Sequence, residues 1–300
     1  MNSLWWHDWL YPKVFTVLAA KAMGVPVAMS SQGVGPEFAH PLDAAMAREM
    51  FSACELVGVR DGEGSARILR EIGVPESIVC HTGDDALLYE PEGRASDLPN
   101  FATGDADRIL VGVNLRDAST YQKGYAKSDP QRFARVFDAI AGRHRVHFVF
   151  LPISYDEQDD DRLSAQRVVD AMVEGDAATV VSAEFNAAEI RRLCGEMDVA
   201  IGISYHFTLF SLAADVPTLL LYQNPYYRQK AAGLAGLYEI PEMAINLDDN
   251  DDADLEKHIE TMLSQAGRRR RELVARNKEL GERVGGARSE IARRLLGAQE

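Results

Sequence analysis

Three cysteines in 300 residues, Cys54, Cys80 and Cys194, are too scattered and too few for a disulfide framework or a thiolate zinc site. Reduced thiols and no metal are therefore expected. Long apolar runs are also lacking: none approaches the roughly 18 residues of a membrane-spanning helix. The opening Met1–Lys13 carries Trp5, Trp6, His7 and Asp8 where a secretory leader would have a basic stretch and an apolar core. The expected location is the cytoplasm, with no transmembrane segment. Excess positive charge is absent as well: 46 acidic against 32 basic residues leave a net charge of −14. Such a surface repels the phosphates of nucleic acid and the head groups of an anionic membrane, so neither is an expected partner. An anionic small substrate would need cations gathered locally in a pocket. Disorder is excluded by 46% hydrophobic and 26% charged residues, ordinary globular values.

What is present alternates. Leu10, Val14, Leu18 and Ala22 recur at helical spacing up to Gly24, and Val25–Met29 reads as a short buried strand. Pro41 opens a helix with a stripe of Leu42, Met46 and Met50; Leu56–Val59 is a second strand. A helix from Glu63 stops at Gly73 with Pro75 just beyond, and Ile78 and Val79 make a third strand. Residues 91–107 lose periodicity and read as a linker. A second series follows. It has strands at Ile109–Leu115, Val146–Leu151, Thr179–Val181, Asp198–Gly202 and Thr218–Tyr222, the last of them. Between them lie a helix capped by Asp129 with Pro130 at its start, a helix running to about Glu174, a capping box of Asn186 and Glu189, and a helix near His206. An acidic loop at Asp248–Asp254 precedes a charged helical tail in which Arg268–Arg271 reads as solvated surface.

Strands alternating with amphipathic helices imply parallel sheets with right-handed crossovers. The expected fold class is α/β, with two Rossmann-like domains facing a cleft in the GT-B manner. The domains would be residues 1–90, a linker 91–107, residues 108–247, and a helical segment 248–300. Three strands before the linker are fewer than a Rossmann domain normally has, so the first domain is incomplete or reduced.

Three segments together carry a resemblance. Ser31-Gln32-Gly33-Val34-Gly35-Pro36 follows a strand. Arg60-Asp61 is followed by Ser65, Leu69, Gly73-Val74 and Thr82-Gly83-Asp84. Gly202-Ile203-Ser204-Tyr205-His206 is followed by Ala213, Val216-Pro217 and Tyr222. In order and spacing this set resembles the polysaccharide pyruvyl transferases, over roughly residues 14 to 235. The resemblance implies transfer of a pyruvyl group from phosphoenolpyruvate to a sugar or lipid-linked saccharide, as in cell-wall and exopolysaccharide synthesis, with no further cofactor. The sequence departs from the pattern in two respects. A further strand and glycine-containing loop usually precede the segment matching Val25, and Ser204 stands where the family's Arg-x-His motif has arginine.

Each residue has two readings. His206, where a strand passes into a helix, is either a proton donor for enol-ether chemistry and a phosphate ligand, or a capping histidine. Arg116, at a strand end, either grips carboxylate or phosphate bidentately, or pairs with Asp117 or Asp107. Arg60 and Asp61 either serve the site or orient their loop and cap the next helix. Asp84 either binds acceptor hydroxyls or makes an Asx-turn. Gln32, Gly33 and Gly35 form a turn where backbone amides could meet a ligand, without being a nucleotide fingerprint. Tyr205 and Tyr222 either stack on sugar or belong to the core.

The expected mechanism places the donor anion near Arg116, Ser204, Arg228 and Lys230, with His206 as general acid. Two rivals stand beside it. One is a GT-B transferase using a nucleotide-sugar, for which Glu239 is the available ribose-binding acid. The other is a non-catalytic relative that binds glycan or a partner enzyme, which an apolar patch near Trp5, Trp6 and Trp9 would favour. An oligomer is compatible with this reading.

Overall fold

A computed structural model describes residues 3–38, 40–89, 99, 101, 108–116, 129–157 and 159–297, with side chains from Leu10 onward. Most of the expected linker, together with Asp107, Asp117 and the Trp5, Trp6 and Trp9 side chains, lies outside this description. The chain divides into two compact units. One comprises residues 1–88, 232–239 and 278–300, the other residues 89–231 and 240–277. The sequence groups 248–300 as one segment; the structure assigns 278–300 and 252–277 to different units.

In the first unit, α1 (Ser3–Ala22) leads to β1 (Ala28–Gln32), α2 (Pro41–Ser52), β2 (Leu56–Val59), α3 (Ser65–Glu71) and β3 (Val79–His81). The strands form a parallel sheet in the order β1-β2-β3. Its core gathers Leu10, Val14 and Val17 from α1 with Met50, Phe51, Val57, Val59, Ile68 and Leu69. The first strand starts three residues later than the apolar run suggests. The amides of Gly24 and Val25 donate back to Lys21 and Ala20 in closing α1, and Pro26 has no N–H to give a ladder. Leu42 proves 64% exposed; the buried side of α2 is Asp43, Ala47, Met50 and Phe51.

The second unit contains β4 (Ile109–Asn114), α4 (Pro130–Ala141), β5 (Val146–Phe150), a two-residue ladder of β6 (Tyr155–Asp156) with β7 (Asp159–Asp160), α5 (Asp161–Val169), β8 (Ala178–Val180), α6 (Ala187–Gly195), β9 (Val199–Gly202), α7 (Tyr205–Ala213), β10 (Thr218–Tyr222), α8 (Pro225–Tyr238), β11 (Ala244–Asn246) and α9 (Asp252–Gly297). Residues 232–238 of α8 and 278–297 of α9 count with the first unit. Thr218–Tyr222 is thus not the last strand. β11 follows it, too short at three residues to show a period. Helix α5 ends at Val169, five residues before its expected limit.

Six parallel strands lie in the order β11-β10-β9-β4-β5-β8. The central strands β4, β5, β9 and β10 are buried along most of their length, the signature of a parallel sheet covered on both faces. Phe137 of α4 stacks on Phe148 at 4.5 Å between ring centroids and meets Phe150 edge-on at 6.0 Å. The caps follow the sequence: Asp129 accepts the Gln131 amide at 3.0 Å, and Asn186 and Glu189 form a reciprocal capping box. The arginine run divides. Arg268 pairs with Glu272 at the surface, whereas Arg269 pairs with Glu242 and is 12% exposed, and Arg270 donates to the Met197 carbonyl.

Gly202 closes β9 under the ring of Phe207. A Cβ there would lie 2.5 Å from Phe207 Cδ1, so the strand-to-helix turn depends on its absence. Gly202→Ala should lower the unfolding free energy by about 1–3 kcal/mol, an overpacking cost read by urea denaturation. An unchanged midpoint would show that Phe207 yields without loss.

Candidate functional site

The second sheet runs outward from β4 through β5 to β8, then returns to β9 and continues to β10 and β11. Its order therefore reverses between β4 and β9. At such a switch point, diverging loops leave a crevice at the carboxyl ends of the strands. Five of the residues singled out in the sequence gather along this edge: Arg116 after β4, Ser204 and His206 after β9, and Arg228 and Lys230 on the helix after β10.

Asn114, the last residue of β4 and 2% exposed, joins the edge together. Its amide donates to the Leu151 carbonyl at 2.9 Å and to Asp161 Oδ2 at 3.0 Å, while its own carbonyl accepts from Ile203 N at 3.0 Å. Asp161 Oδ2 also accepts the backbone amides of Ile153 at 2.8 Å and Ser154 at 3.0 Å. One buried carboxylate thus fixes the loop after β5 against the end of β4. Asn114 Oδ1 and Asp161 Oδ1 are buried without a hydrogen-bond partner among the described residues.

Arg116 is committed inside the unit. Its Nε donates to Asp159 Oδ2 at 2.7 Å, Nη2 donates to the same oxygen, and Asp161 Oδ1 lies 3.9 Å from Nε. The ion pair anticipated as an alternative role exists, but with Asp159; Asp117 and Asp107 lie outside the described residues. Burial opposes the Arg116 charge, yet Tyr227, the Asp159 bond and Asp161 outweigh it and raise its pKa. Burial pushes the Asp159 carboxyl up against the lowering pull of Arg116, and pushes the Tyr227 phenol up.

Ser204 precedes α7 and is 2% exposed; its hydroxyl makes no capping bond. His206 is exposed in the first turn of α7, its ring 5.5 Å from the Tyr205 ring and 6.3 Å from that of Phe210. Tyr205 is buried, in line with its core reading, and Tyr222 is half-buried at the end of β10. Asn224 opens α8 by accepting the Tyr227 amide at 2.9 Å, and its buried Nδ2 has no partner among the described residues. Arg228 is exposed. Lys230 Nζ sits 4.0 Å from the Tyr226 ring centroid and 5.6 Å from that of Tyr227.

The other six residues lie on the first unit, along the carboxyl edge of its three-stranded sheet. Asp61 accepts the Ser65 amide, the first of α3, at 2.5 Å and the Ser65 hydroxyl as well; that hydroxyl in turn receives Val34 N at 2.8 Å. Asp61 therefore holds the glycine turn to the start of α3, its structural reading. Asp84 Oδ1 accepts the Ala86 amide at 3.0 Å, the Asx-turn that was one of its two readings, while its Oδ2 lies 3.9 Å from Arg60 Nη1. The Arg60 guanidinium lies over Gly33, where a Cβ would come within 2.6 Å of Nη2. Gly35 has φ 129. Gln32 Nε2 donates to the Ser30 carbonyl at 2.8 Å. Ser31, at φ 56 where the β1 register shifts, accepts the Asp85 amide at 2.7 Å. Glu239, the acid considered for ribose, counts with this unit rather than the second.

The sequence reading missed Asn114, Asp159, Asp161, Asn224 and Tyr227. A signal existed for two of them: Asp159-Asp160-Asp161 follows the β5 strand, as a carboxylate partner of Arg116 would.

Two parallel α/β sheets, one in doubly wound order, define a Rossmann-like fold of the GT-B type. The same fold appears in UDP-GlcNAc 2-epimerase from Neisseria meningitidis bound to UDP-GlcNAc, at 14% identity and TM-score 0.61, over 94% of this chain and 72% of that one. It appears in Anabaena HepE in complex with UDP, at 15% identity and TM-score 0.62, over 96% and 77%. Thermobaculum terrenum O-GlcNAc transferase gives 14% and 0.51, over 95% of this chain and 56% of that one. The chain thus spans between about half and three quarters of these proteins' lengths. At these identities the likeness is one of fold. The polysaccharide pyruvyl transferase family model matches residues 1–225, and the chain belongs to that family. Arg228 and Lys230 lie beyond the matched range. Among the described residues, no helix is long and apolar enough to cross a membrane, and no three His, Cys, Asp or Glu side chains cluster as metal ligands.

Removing the Asp61 carboxylate leaves the Ser65 amide and hydroxyl without their acceptor. Asp61→Ala should lower the unfolding free energy by about 2 kcal/mol, measured by urea denaturation. A loss below a few tenths would remove Asp61 from its structural role.

Proposed function

We propose that this protein transfers the pyruvyl group of phosphoenolpyruvate to a sugar or lipid-linked saccharide, forming a ketal. The observation that carries the reading is family membership combined with the switch-point edge, where His206 and Arg228 stand exposed after neighbouring strands. The donor is an anion bearing carboxylate and phosphate. Arg228, with Lys230 and Arg116, supplies cationic groups along one edge of an otherwise acidic protein.

The chemistry is addition followed by substitution. His206, as imidazolium, protonates the methylene carbon while a sugar hydroxyl oxygen bonds to the adjacent carbon and returns its proton to the imidazole. The carbon–oxygen bond to phosphate then breaks. A second hydroxyl closes the ketal, its proton leaving with inorganic phosphate. No electrons are exchanged with a redox group. Imidazole suits the proton step because its ordinary pKa lies near neutrality.

A nucleotide-sugar reading has one observation of its own: relatives in fold are solved with UDP or UDP-GlcNAc bound. Calorimetric titration separates the two. Phosphoenolpyruvate should bind saturably and UDP should not displace it. Arg228→Ala should weaken donor binding about tenfold, the scale of one charge-assisted pair. His206→Ala should abolish phosphate release in the presence of a saccharide acceptor while leaving donor affinity within a few-fold. Binding of UDP without phosphoenolpyruvate would transfer the assignment to nucleotide-sugar chemistry. Failure of both at millimolar concentration would leave a glycan- or partner-binding relative.

A further inference from the structure

We propose that Asp159 sets the anion affinity of the second unit's sheet edge, by holding Arg116 in an internal ion pair that an anionic ligand must open. The inference rests on the reading above only in naming the ligand, a small molecule with phosphate and carboxylate groups.

The geometry is asymmetric. Asp161 is fixed: one of its oxygens receives Asn114 Nδ2 and the amides of Ile153 and Ser154. Asp159 is not. Among the described residues its carboxylate receives hydrogen bonds from Arg116 alone. Asp159 lies in the two-residue ladder of β6 with β7, off the main sheet, with its side chain 3% exposed against 22% for Arg116. The guanidinium therefore reaches solvent on one side while its counter-charge does not. Among the described residues, two carboxylates surround this one guanidinium, a set that is net negative when all three are charged. An arriving anion is repelled unless Arg116 exchanges Asp159 for the ligand.

That exchange has a chemical consequence. Among the described residues, the groups facing Asp159 are Arg116 after β4, Asp161 on α5 and Asp156 on β6; Tyr227 on α8 lies within electrostatic reach. Once Arg116 turns to the ligand, the others are acidic or neutral, and the buried carboxylate has lost its donor. Asp159 then takes a proton from solvent, so binding is coupled to proton uptake and strengthens as pH falls. The site is thereby selective: a weakly charged ligand cannot compete with Asp159, while a multiply charged one can.

The test uses the full chain as wild type, Asp159→Asn and Asp161→Asn. Phosphoenolpyruvate and inorganic phosphate are titrated calorimetrically across pH. Arg116 accessibility is read separately, by the rate of phenylglyoxal labelling against Arg228 in the same sample. Asp159→Asn should bind both anions about tenfold more tightly, the scale of one released charge-assisted contact. It should also show a shallower pH dependence and label faster at Arg116. Asp161→Asn should lower the thermal midpoint without that gain. If Asp159→Asn unfolds, Asp159→Ser removes the same carboxylate with a smaller side chain. Unchanged or weaker anion binding, with unchanged Arg116 labelling in a folded variant, overturns the proposal. Labelling that accelerates while neither protein binds phosphoenolpyruvate upholds the gate and sinks the donor assignment. Donor binding that is equal in both, with equal labelling, does the reverse.

Discussion

One buried carboxylate organises the second unit's edge. Asp161 accepts three donors on a single oxygen, from Asn114, Ile153 and Ser154, and so ties the end of β4 to the chain leaving β5. Asn114 in turn receives Ile203 and brings in the chain leaving β9. Burying a carboxylate costs several kcal/mol unless donors surround it. Strand ends carrying unpaired amides supply such donors. The switch point therefore fixes its own loops: amides left over by the sheet satisfy the acid, and the acid fixes the loops they belong to.

The acidic excess of the chain acquires a local meaning there. Arg116, Arg132 and Arg162 each pair with aspartates near the carboxyl edge of the same sheet, and most of these carboxylates are buried or half-buried. Arg132 and Arg162 also bond to backbone carbonyls, which makes them loop clamps rather than ligand groups. Lys230 is turned over aromatic rings. What remains exposed from the anticipated cation set is Arg228. On the proposed reading, the anionic donor meets few outward cations along this edge, and Asp159 would control access to one more.

The fold was legible where local chemistry repeats. Asp129-Pro130 and Asn186 with Glu189 mark helix starts because an oxygen acceptor must meet amides that have no intrahelical partner. Buried strands such as Val146–Phe150 and Thr218–Tyr222 announce themselves as continuous apolar runs because both faces are covered. Legibility failed for β11, whose three residues fill less than two periods, and for Leu42, whose place in a helical stripe does not say what lies opposite. The candidate site was legible by position and not by partner. His206 and Arg116 stand at strand ends, as their flanking runs implied. That Arg116 faces Asp159 is not written locally, since 43 residues separate them.

By itself, then, the sequence determined the alternating α/β plan, the helix caps and the strand ends that carry polar residues, because each depends on neighbours within a turn or two of chain; the family followed from the order and spacing of three segments along the chain. Tertiary structure alone decided the strand order with its reversal between β4 and β9, the division of 252–277 and 278–297 between units, and the partners of each charge. Electrostatic pairing acts across space at a few ångströms, whatever the separation along the chain, so a local pattern can place a charged residue without saying whether its charge faces outward or is already answered.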